Sequence, residues 1–136
     1  MTTPQIDTVR RYLACLHASD TEGLVSTFEP DGIVDSPFLG RMQAAPFFAK
    51  LKQASAQSVI TLIDLFTSVE PGDVAVRVAA YFRYEWTLKD GKVVTFTCVD
   101  VFEFKRGSDR ISSMTIVYDT HPLREEVGDK YARAME

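Results

Sequence analysis

The sequence is poor in the residues that bind metals or form disulfides, with two cysteines and two histidines among 136 residues. Cys15 and Cys98 cannot build a disulfide framework, and the chain has neither a CxxC pair nor a Cys/His cluster at zinc spacing. We therefore expect two reduced, buried thiols and no metal site. A glycine-rich phosphate loop, GxGxxG, HExxH and a nucleophile elbow are also missing, so no cofactor is implied.

Long apolar runs and clusters of basic residues are missing too. No apolar stretch approaches the length needed to span a bilayer, and the first twelve residues lack the apolar core of a signal peptide. The net charge is −4, and no run of lysine or arginine is available to neutralise nucleic-acid phosphates. These absences argue against a membrane or nucleic-acid partner and predict a cytoplasmic protein.

The composition that remains is that of an ordinary globular protein, 46% hydrophobic and 25% charged, and the length suits one domain over residues 1–136. Helical periodicity marks the first third of the chain. Thr3-Pro4 caps a first helix, whose apolar face is formed by Ile6, Val9, Leu13 and Leu16. Ser19 and Glu22 form a capping box for a short second helix, which residues 29–32 (Glu-Pro-Asp-Gly) should end.

The rest of the chain moves from mixed to strictly alternating patterns. A short strand is predicted from Gly32 to Phe38 and a third helix from Met42 to Ala54. Four antiparallel strands are then predicted at about Ser58 to Val69, Val74 to Leu88, Val93 to Lys105 and Arg110 to Tyr118. The three joins, residues 70–73, 89–92 and 106–109, each carry a glycine and an aspartate and suit hairpins.

Alternation also predicts which strand residues share a face. Asp100 falls on an apolar face, together with Phe96, Cys98, Phe102 and Phe104. The opposite face is not fully polar, because Tyr81, Val99 and Val101 lie there among charged residues. A sheet that is apolar on both sides favours a second contact, so we expect a homodimer through the sheet.

Helices followed by a hairpin-rich sheet predict an α+β fold, and specific segments resemble a known family. These segments are residues 9–13, Ser19-Asp20, residues 23–25, Phe28, residues 34–37, Gly40, Phe47-Phe48, residues 99–104 and Ser113-Met114. In this order they resemble the ketosteroid isomerases and the SnoaL-like polyketide cyclases of the nuclear transport factor 2-like superfamily. The resemblance implies a cone-shaped barrel of a curved, mainly antiparallel sheet wrapped around N-terminal helices, with a small-molecule pocket inside.

The resemblance also implies roles for individual residues. Tyr12 matches the isomerase tyrosine that donates a hydrogen bond to the developing enolate oxygen, and Asp100 matches the protonated acid that donates the second one. Where the isomerases place a carboxylate before a proline, this chain has Ser36, with Asp35 one residue earlier. Strand alternation directs Asp35 away from the pocket unless Pro37 or a bulge shifts the register, which argues against steroid isomerisation.

Asp100 is a candidate site residue without reference to any family. A carboxylate among phenylalanines is costly to ionise, so it needs either a raised pKa or a close partner. Perturbed acids in apolar clefts are typical of functional sites, but a structural acid bonded to Tyr12, Tyr84 or the backbone gives the same pattern. Tyr12 lies on the flank of the first helix's apolar face and is equally explained as core.

Other residues are assigned to the pocket or kept as candidates for the missing base. The side chains expected to line the pocket are Ser36, Phe38, Phe82, Tyr84, Trp86, Cys98, Phe102, Met114, Ile116 and Tyr118. A set of this kind can also be plain core. Asp64 interrupts an apolar run and is either an inward-facing acid, and so a second candidate base, or an edge residue that points to water. His17 and His121 are weaker candidates for a proton shuttle or a pocket-mouth residue.

Two functional hypotheses follow. In the first, the protein is a cofactor-free isomerase, lyase or cyclase, in which Tyr12 and Asp100 hold an oxyanion and Asp35 or Asp64 is the base. In the second, the same pocket binds a small apolar molecule without catalysis. A second acid or a histidine in the cavity would favour the enzyme, whereas Asp100 alone would favour binding. A protein-interaction module is the third hypothesis, and it predicts a closed cavity beside an exposed apolar patch.

Overall fold

A computed structural model describes residues 3–69 and 75–121 of the chain. Its elements are α1 (Pro4–His17), α2 (Thr21–Ser26), β1 (Phe28–Ser36), β2 (Gly40–Gln43), α3 (Ala44–Ala54), β3 (Ser55–Thr67), β4 (Ala75–Leu88), β5 (Val93–Lys105) and β6 (Ile111–Tyr118). The predicted α+β class is confirmed. The predicted turn at residues 70–73 lies outside the described residues. No described helix is long and apolar enough to cross a membrane, and the cytoplasmic location stays a prediction.

The strands form one six-stranded, curved mixed sheet in the order β2-β1-β6-β5-β4-β3. The long hairpins β3/β4, β4/β5 and β5/β6 are antiparallel, as the alternating pattern predicted. Two features were not predicted. β1 pairs with β6 in parallel, and residues 40–43 form β2, so α3 begins at Ala44 rather than at Met42.

The starts of the first two helices show which capping signal was correct. Thr3 accepts a hydrogen bond from the Ile6 amide at 3.2 Å and Pro4 is the first helical residue, as predicted. The Ser19 capping box is wrong. Asp20 is the N-cap of α2 and its Oδ1 accepts from the Gly23 amide at 2.9 Å, whereas Ser19 has a φ of 57° after the end of α1. Aspartate and serine are equally good N-cap residues, so beginning the helix one residue later does not reduce its stability.

Residues 29–32 do not end α2, contrary to the prediction. The helix ends at Ser26, and these four residues lie within β1, where the register against β6 shifts between Phe28 and Ile33. A proline and a glycine are tolerated at such a bulge because the ladder of backbone hydrogen bonds is already interrupted. The bulge therefore accommodates the residues that the sequence marked as a helix breaker.

The core lies between the helices and one face of the sheet. Tyr12 of α1 meets Phe102 of β5 edge to face, with ring centroids 5.0 Å apart, and it contacts Phe28 and Phe48 in the same manner. Cys98 is buried there, as expected, but Cys15 is only partly buried on α1. The α1 and α3 side chains that complete this core leave part of the sheet uncovered, and a cavity occupies that part.

The register of β3 against β4 shifts twice, and the second shift, an extra residue after Leu62, changes which of its side chains face inward. Leu62 pairs with Phe82, but Asp64 pairs with Tyr81, so Ile63 has no partner across β4. Since strand side chains alternate, this bulge reverses the faces for the rest of β3. Asp64 and Phe66 therefore lie on the outer face of the sheet together with Tyr81.

Candidate functional site

A cavity of about 610 Å³ lies between the concave face of the sheet and the helices α1 and α3. Volumes of this size are typical of small-molecule sites. The described residues that line it are Tyr12, Leu16, Ser36, Phe38, Leu39, Phe47, Lys50, Leu51, Gln53, Ala54, Phe82, Tyr84, Trp86, Phe96, Cys98, Asp100, Ile116 and Tyr118. Most of these side chains are apolar or aromatic, and Lys50 and Gln53 are exposed at its mouth.

Asp100 is the one acid among the described residues that line the cavity. It is 2% exposed, and its Oδ1 atom has no hydrogen-bond partner among the groups that the structure describes. Burial raises the pKa of this carboxyl to about 8, because the charged form loses its hydration and gains no partner. Asp100 therefore carries its proton at neutral pH and presents a hydrogen-bond donor inside an apolar space.

Tyr12 contributes a second donor to the same cavity. Helix α1 positions it, and its ring is fixed by the edge-on contacts to Phe28, Phe48 and Phe102. Burial is the main cause that raises the pKa of the Tyr12 phenol well above its ordinary value, and a negative charge on Asp100 would raise it further. No described hydrogen bond joins Tyr12 to Asp100. Burial keeps both groups protonated at neutral pH, and each can therefore donate a hydrogen bond to a third group.

The remaining polar groups on the wall are mostly engaged. The Tyr84 hydroxyl lies 2.8 Å from Ser58 Oγ, and Trp86 Nε1 donates to Ser55 Oγ at 2.7 Å, so both pairs tie β4 to β3. Ser36 Oγ accepts from the Leu39 amide at 3.2 Å. Burial raises the pKa of the Cys98 thiol and of the Tyr118 phenol, so neither side chain provides an anion.

Aromatic rings form one wall of the cavity. Tyr84 stacks on Phe96 with centroids 5.2 Å apart and an angle of 24°, and Phe96 lies 4.8 Å from Tyr118. Phe38 continues this row at 6.2 Å from Tyr118. A wall of adjoining rings offers flat apolar surface, which suits the face of a planar ligand.

Eight of the ten residues that the sequence assigned to the pocket do line the cavity, and two do not. Phe102 and Met114 are fully buried in the core behind it. The contribution of α3 to the cavity was not predicted; this helix presents Phe47, Lys50, Leu51 and Ala54 to it. Their spacing of three, four and seven residues is the signal that could have identified this face.

The structure brings neither candidate base to the cavity. Val34 and Asp35 pair with consecutive residues of β6, Met114 and Thr115, so no bulge interrupts the alternation here. Val34 therefore points into the core and Asp35 points to solvent. Asp64 is exposed because the bulge at Ile63 turns it outward, and its Oδ1 accepts from the Leu65 amide. Asp35 thus points away from the cavity, as strand alternation predicted, and of the two alternatives for Asp64 the structure shows the residue that points to water.

The two histidines lie outside the cavity as well. His17 Nδ1 accepts a hydrogen bond at 3.0 Å from the Ile60 amide on β3, which is an edge strand, and His121 is exposed after β6. Within residues 3–69 and 75–121, no group of three or more His, Cys, Asp or Glu residues could hold a metal ion. Among the described residues that line the cavity, Asp100 is thus the one group suited to proton transfer near neutral pH.

Comparison with known proteins relates this geometry to one family. Residues 9–114 match the model of the SnoaL-like domain. No curated protein sequence matches the chain. An NTF2-like protein of unknown function from Burkholderia pseudomallei has a similar structure, with 18% identity and a TM-score of 0.75 over 94% of this chain and 100% of that one.

Two further solved structures share the fold and contain small molecules. TerC, co-crystallised with polyporic acid, is 21% identical with a TM-score of 0.73, over 93% of this chain and 100% of that one. A protein with a ketosteroid isomerase-like fold from Catenulispora acidiphila, in complex with trimethylamine, is 19% identical with a TM-score of 0.72. It is matched over 95% of its length and 93% of this chain. At these identities the likeness establishes the fold alone.

Proposed function

Since the chain belongs to the SnoaL-like domain family, we propose that its cavity binds a small, flat, mainly apolar molecule through a carbonyl or enol oxygen. Asp100 and Tyr12 donate hydrogen bonds to that oxygen, and the row of rings from Tyr84 to Tyr118 contacts the apolar body. The observation that carries this proposal is the buried carboxyl of Asp100, whose Oδ1 atom has no hydrogen-bond partner among the described residues.

A buried polar group without a partner is costly, typically by about 1–3 kcal/mol. Such groups are rare in folded proteins and are commonly explained by a ligand, a water or a functional role. Asp100 faces the cavity, so a ligand oxygen can accept its proton in a hydrogen bond and remove this cost. The absence of a second acid or a histidine from the described cavity lining favours binding over catalysis by an acid and base pair.

The test uses the single tryptophan of the chain, Trp86, which lines the cavity. Fluorescence titration with fused-ring ketones and phenols should quench Trp86 in a saturable manner. Asp100→Leu should weaken binding at least tenfold, because a hydrogen bond to a buried donor is lost. Asp100→Asn keeps a donor and should bind more tightly than Asp100→Leu, while Asp64→Asn on the outer face should bind like the wild type. Equal affinity in all four proteins would contradict the proposal.

A second candidate function is cofactor-free proton transfer of the isomerase, lyase or cyclase type. It is favoured by the pKa of Asp100, since an acid of pKa about 8 exchanges protons readily near neutral pH. In this mechanism the ionised fraction of Asp100, which is minor at neutral pH and grows as the pH rises toward 8, accepts a proton from the carbon next to a carbonyl group, while Tyr12 donates a hydrogen bond to the oxygen as it becomes an enolate. The carboxyl then returns the proton to a carbon or oxygen atom of the same molecule.

Deuterium exchange separates catalysis from binding. A bicyclic ketone such as tetralone, incubated with the protein in D2O, should exchange the hydrogens next to its carbonyl faster than in buffer. Asp100→Asn should remove the acceleration while binding persists, because the amide cannot accept the proton. If the ketone binds but its exchange rate is unchanged, the protein is a binding domain and the catalytic candidate is discarded.

We also propose that the outer face of the sheet joins two copies of the chain. Two cross-strand rows there are largely apolar, one running Asp64, Tyr81, Val99, Val117 and the other Phe66, Ala79, Val101, Thr115. Phe66 and Val117 are each about half exposed, and the Arg77–Glu103 ion pair borders the rows. An apolar centre with a charged rim is typical of protein interfaces.

Light scattering after size exclusion tests this assembly. The wild type should elute as a dimer, and Tyr81→Glu should elute as a monomer because it places a charge within the apolar rows. Val93→Glu, at the exposed first residue of β5, serves as the matched control and should remain dimeric. A monomeric wild type at high protein concentration would contradict the proposal.

A further inference from the structure

Lys50 is the one basic residue among the described groups that line the large cavity. It lies on α3, one turn after Phe47, and its side chain is exposed at the mouth. Neither an ion pair nor a side-chain hydrogen bond is described for it. The ammonium group is therefore available at the point where a bound molecule would meet solvent.

The charge of the cavity walls differs from that of the whole chain. The sequence has 19 acidic and 15 basic residues, so an average surface would be slightly negative. A smaller cavity of about 210 Å³ shares Leu16 and Leu51 with the large one, and its lining contains Lys52 and Lys89. Together the two linings contain three lysines and one acid, Asp100, which is largely uncharged at neutral pH.

We infer that the ligand is an anion, with a flat apolar body inside the cavity and a carboxylate or similar acidic group paired with Lys50 at the mouth. This inference rests on the proposed function and deepens it by naming the ligand class. It also fixes the orientation of the ligand. A charged group placed beside Asp100 would lose its hydration without gaining a cationic partner, so the neutral oxygen must lie inside and the charge outside.

The size of the effect follows from the exposure of Lys50. Ion pairs at exposed positions contribute about 0.2–1 kcal/mol, which corresponds to a preference of about 1.4- to fivefold for the charged ligand. Salt screens such a pair, so the preference should shrink at high ionic strength. The apolar body and the hydrogen bonds to Asp100 and Tyr12 would be little affected by salt.

The experiment compares hydroxynaphthoic acid with its methyl ester, which has the same rings and hydroxyl group but no charge. Quenching of Trp86 is titrated at low and high ionic strength for the wild type, Lys50→Gln, Lys50→Glu and Lys52→Gln. We expect the wild type to prefer the acid at low salt, Lys50→Gln to lose this preference, and Lys50→Glu to prefer the ester. Lys52→Gln is the matched control, because Lys52 lines only the smaller cavity, and it should retain the wild-type preference.

The outcomes that would overturn the inference differ from those that would overturn the proposed function. If the acid and the ester bind the wild type equally, the cavity binds neutral molecules and the anion is rejected, while the proposed function stands. If Lys50→Gln and Lys52→Gln reduce the preference equally, pairing with Lys50 is rejected. If Trp86 responds to neither compound, both proposals fail for fused-ring ligands.

Discussion

Asp100 on β5 lies directly opposite Ala80 on β4, and Ile116 of β6 is its neighbour on the other side. Cross-strand partners bring their Cβ atoms to about 5 Å, so a methyl group and an aliphatic chain flank the carboxyl on the two neighbouring strands. Neither of these side chains can donate a hydrogen bond, and Oδ1 of Asp100 has no partner among the described residues, so a substitution at Ala80 could supply one.

Ala80→Ser should lower the pKa of Asp100 below its value of about 8, because a hydroxyl next to the carboxylate can donate a hydrogen bond to the charged form. Carbon-13 NMR titration of the Asp100 carboxyl would measure the shift. Ala79→Ser, on the outer face of the same strand, is the control and should leave the titration unchanged. An unchanged pKa in Ala80→Ser would mean that the two side chains do not reach each other.

The burial of Asp100 should also make stability depend on pH. Its pKa is about 8 in the folded protein against 3.8 for the free side chain, so between about pH 4 and pH 8 the folded chain holds one proton more than the unfolded chain. The contribution of Asp100 to the free energy of unfolding is therefore fully present below pH 4. It decreases by up to about 1.4 kcal/mol per pH unit as the pH rises, until the folded carboxyl ionises near pH 8.

Asp100→Asn removes this dependence because an amide does not titrate in that range. The free energy of unfolding of the variant minus that of the wild type, measured by urea denaturation, should increase from pH 4 to pH 8 and then level off. A flat difference for Asp100→Asn would indicate that Asp100 is ionised and has a partner in the folded protein.

Ser36→Asp should introduce a second acid into the cavity, beside Asp100. Ser36 lines the cavity, whereas Asp35 beside it points to solvent. A positioned general base contributes about 10²–10⁴-fold to rate, so we expect deuterium exchange of tetralone to accelerate at least tenfold over the wild type. Asp35→Ser should leave the exchange rate unchanged, and no gain in Ser36→Asp would mean that the ketone carbon lies out of reach of this position.

The Ser58–Tyr84 pair should stabilise the join between β3 and β4. Ser58→Ala leaves the buried Tyr84 hydroxyl without its partner and should lower the free energy of unfolding by about 1–3 kcal/mol. In a Tyr84→Phe background the same substitution should cost less, because no hydroxyl remains to be satisfied. Additive effects in this double-mutant cycle would show that the hydrogen bond does not couple the two residues.

Local periodicity was sufficient to predict most of the fold. α1 and the three long antiparallel strands were found because their patterns are strong and their hairpins connect neighbours in the chain. The parallel pairing of β1 with β6 was not found, because residues such as Val34 and Met114 are far apart in sequence and no turn links them. β2 was missed because its four residues, 40–43, are too few for a period to be recognised.

The candidate site was predictable where alternation held, and unpredictable where a single residue interrupted it. Asp100 and Tyr12 were identified, and both line the cavity. Asp64 remained ambiguous because nothing in the sequence marks Ile63 as the extra residue that turns it outward. Phe102 and Met114 lie on the same face of the sheet as the lining residues, but they are fully buried beneath the cavity. Alternation predicts the face on which a side chain lies and not how deeply it is buried, so it could not separate these two core residues from the lining.

The bulge at Ile63 divides β3 into two segments whose side chains contact different surfaces of the protein. Before it, Ser55 and Ser58 hold Trp86 and Tyr84 in place against the cavity; after it, Phe66 joins the outer rows. Substitutions in the first segment should affect the proposed ligand binding, and substitutions in the second should affect the proposed dimer. Because the residue inserted at Ile63 places the two segments on opposite faces of the sheet, either surface could change in sequence without altering the other.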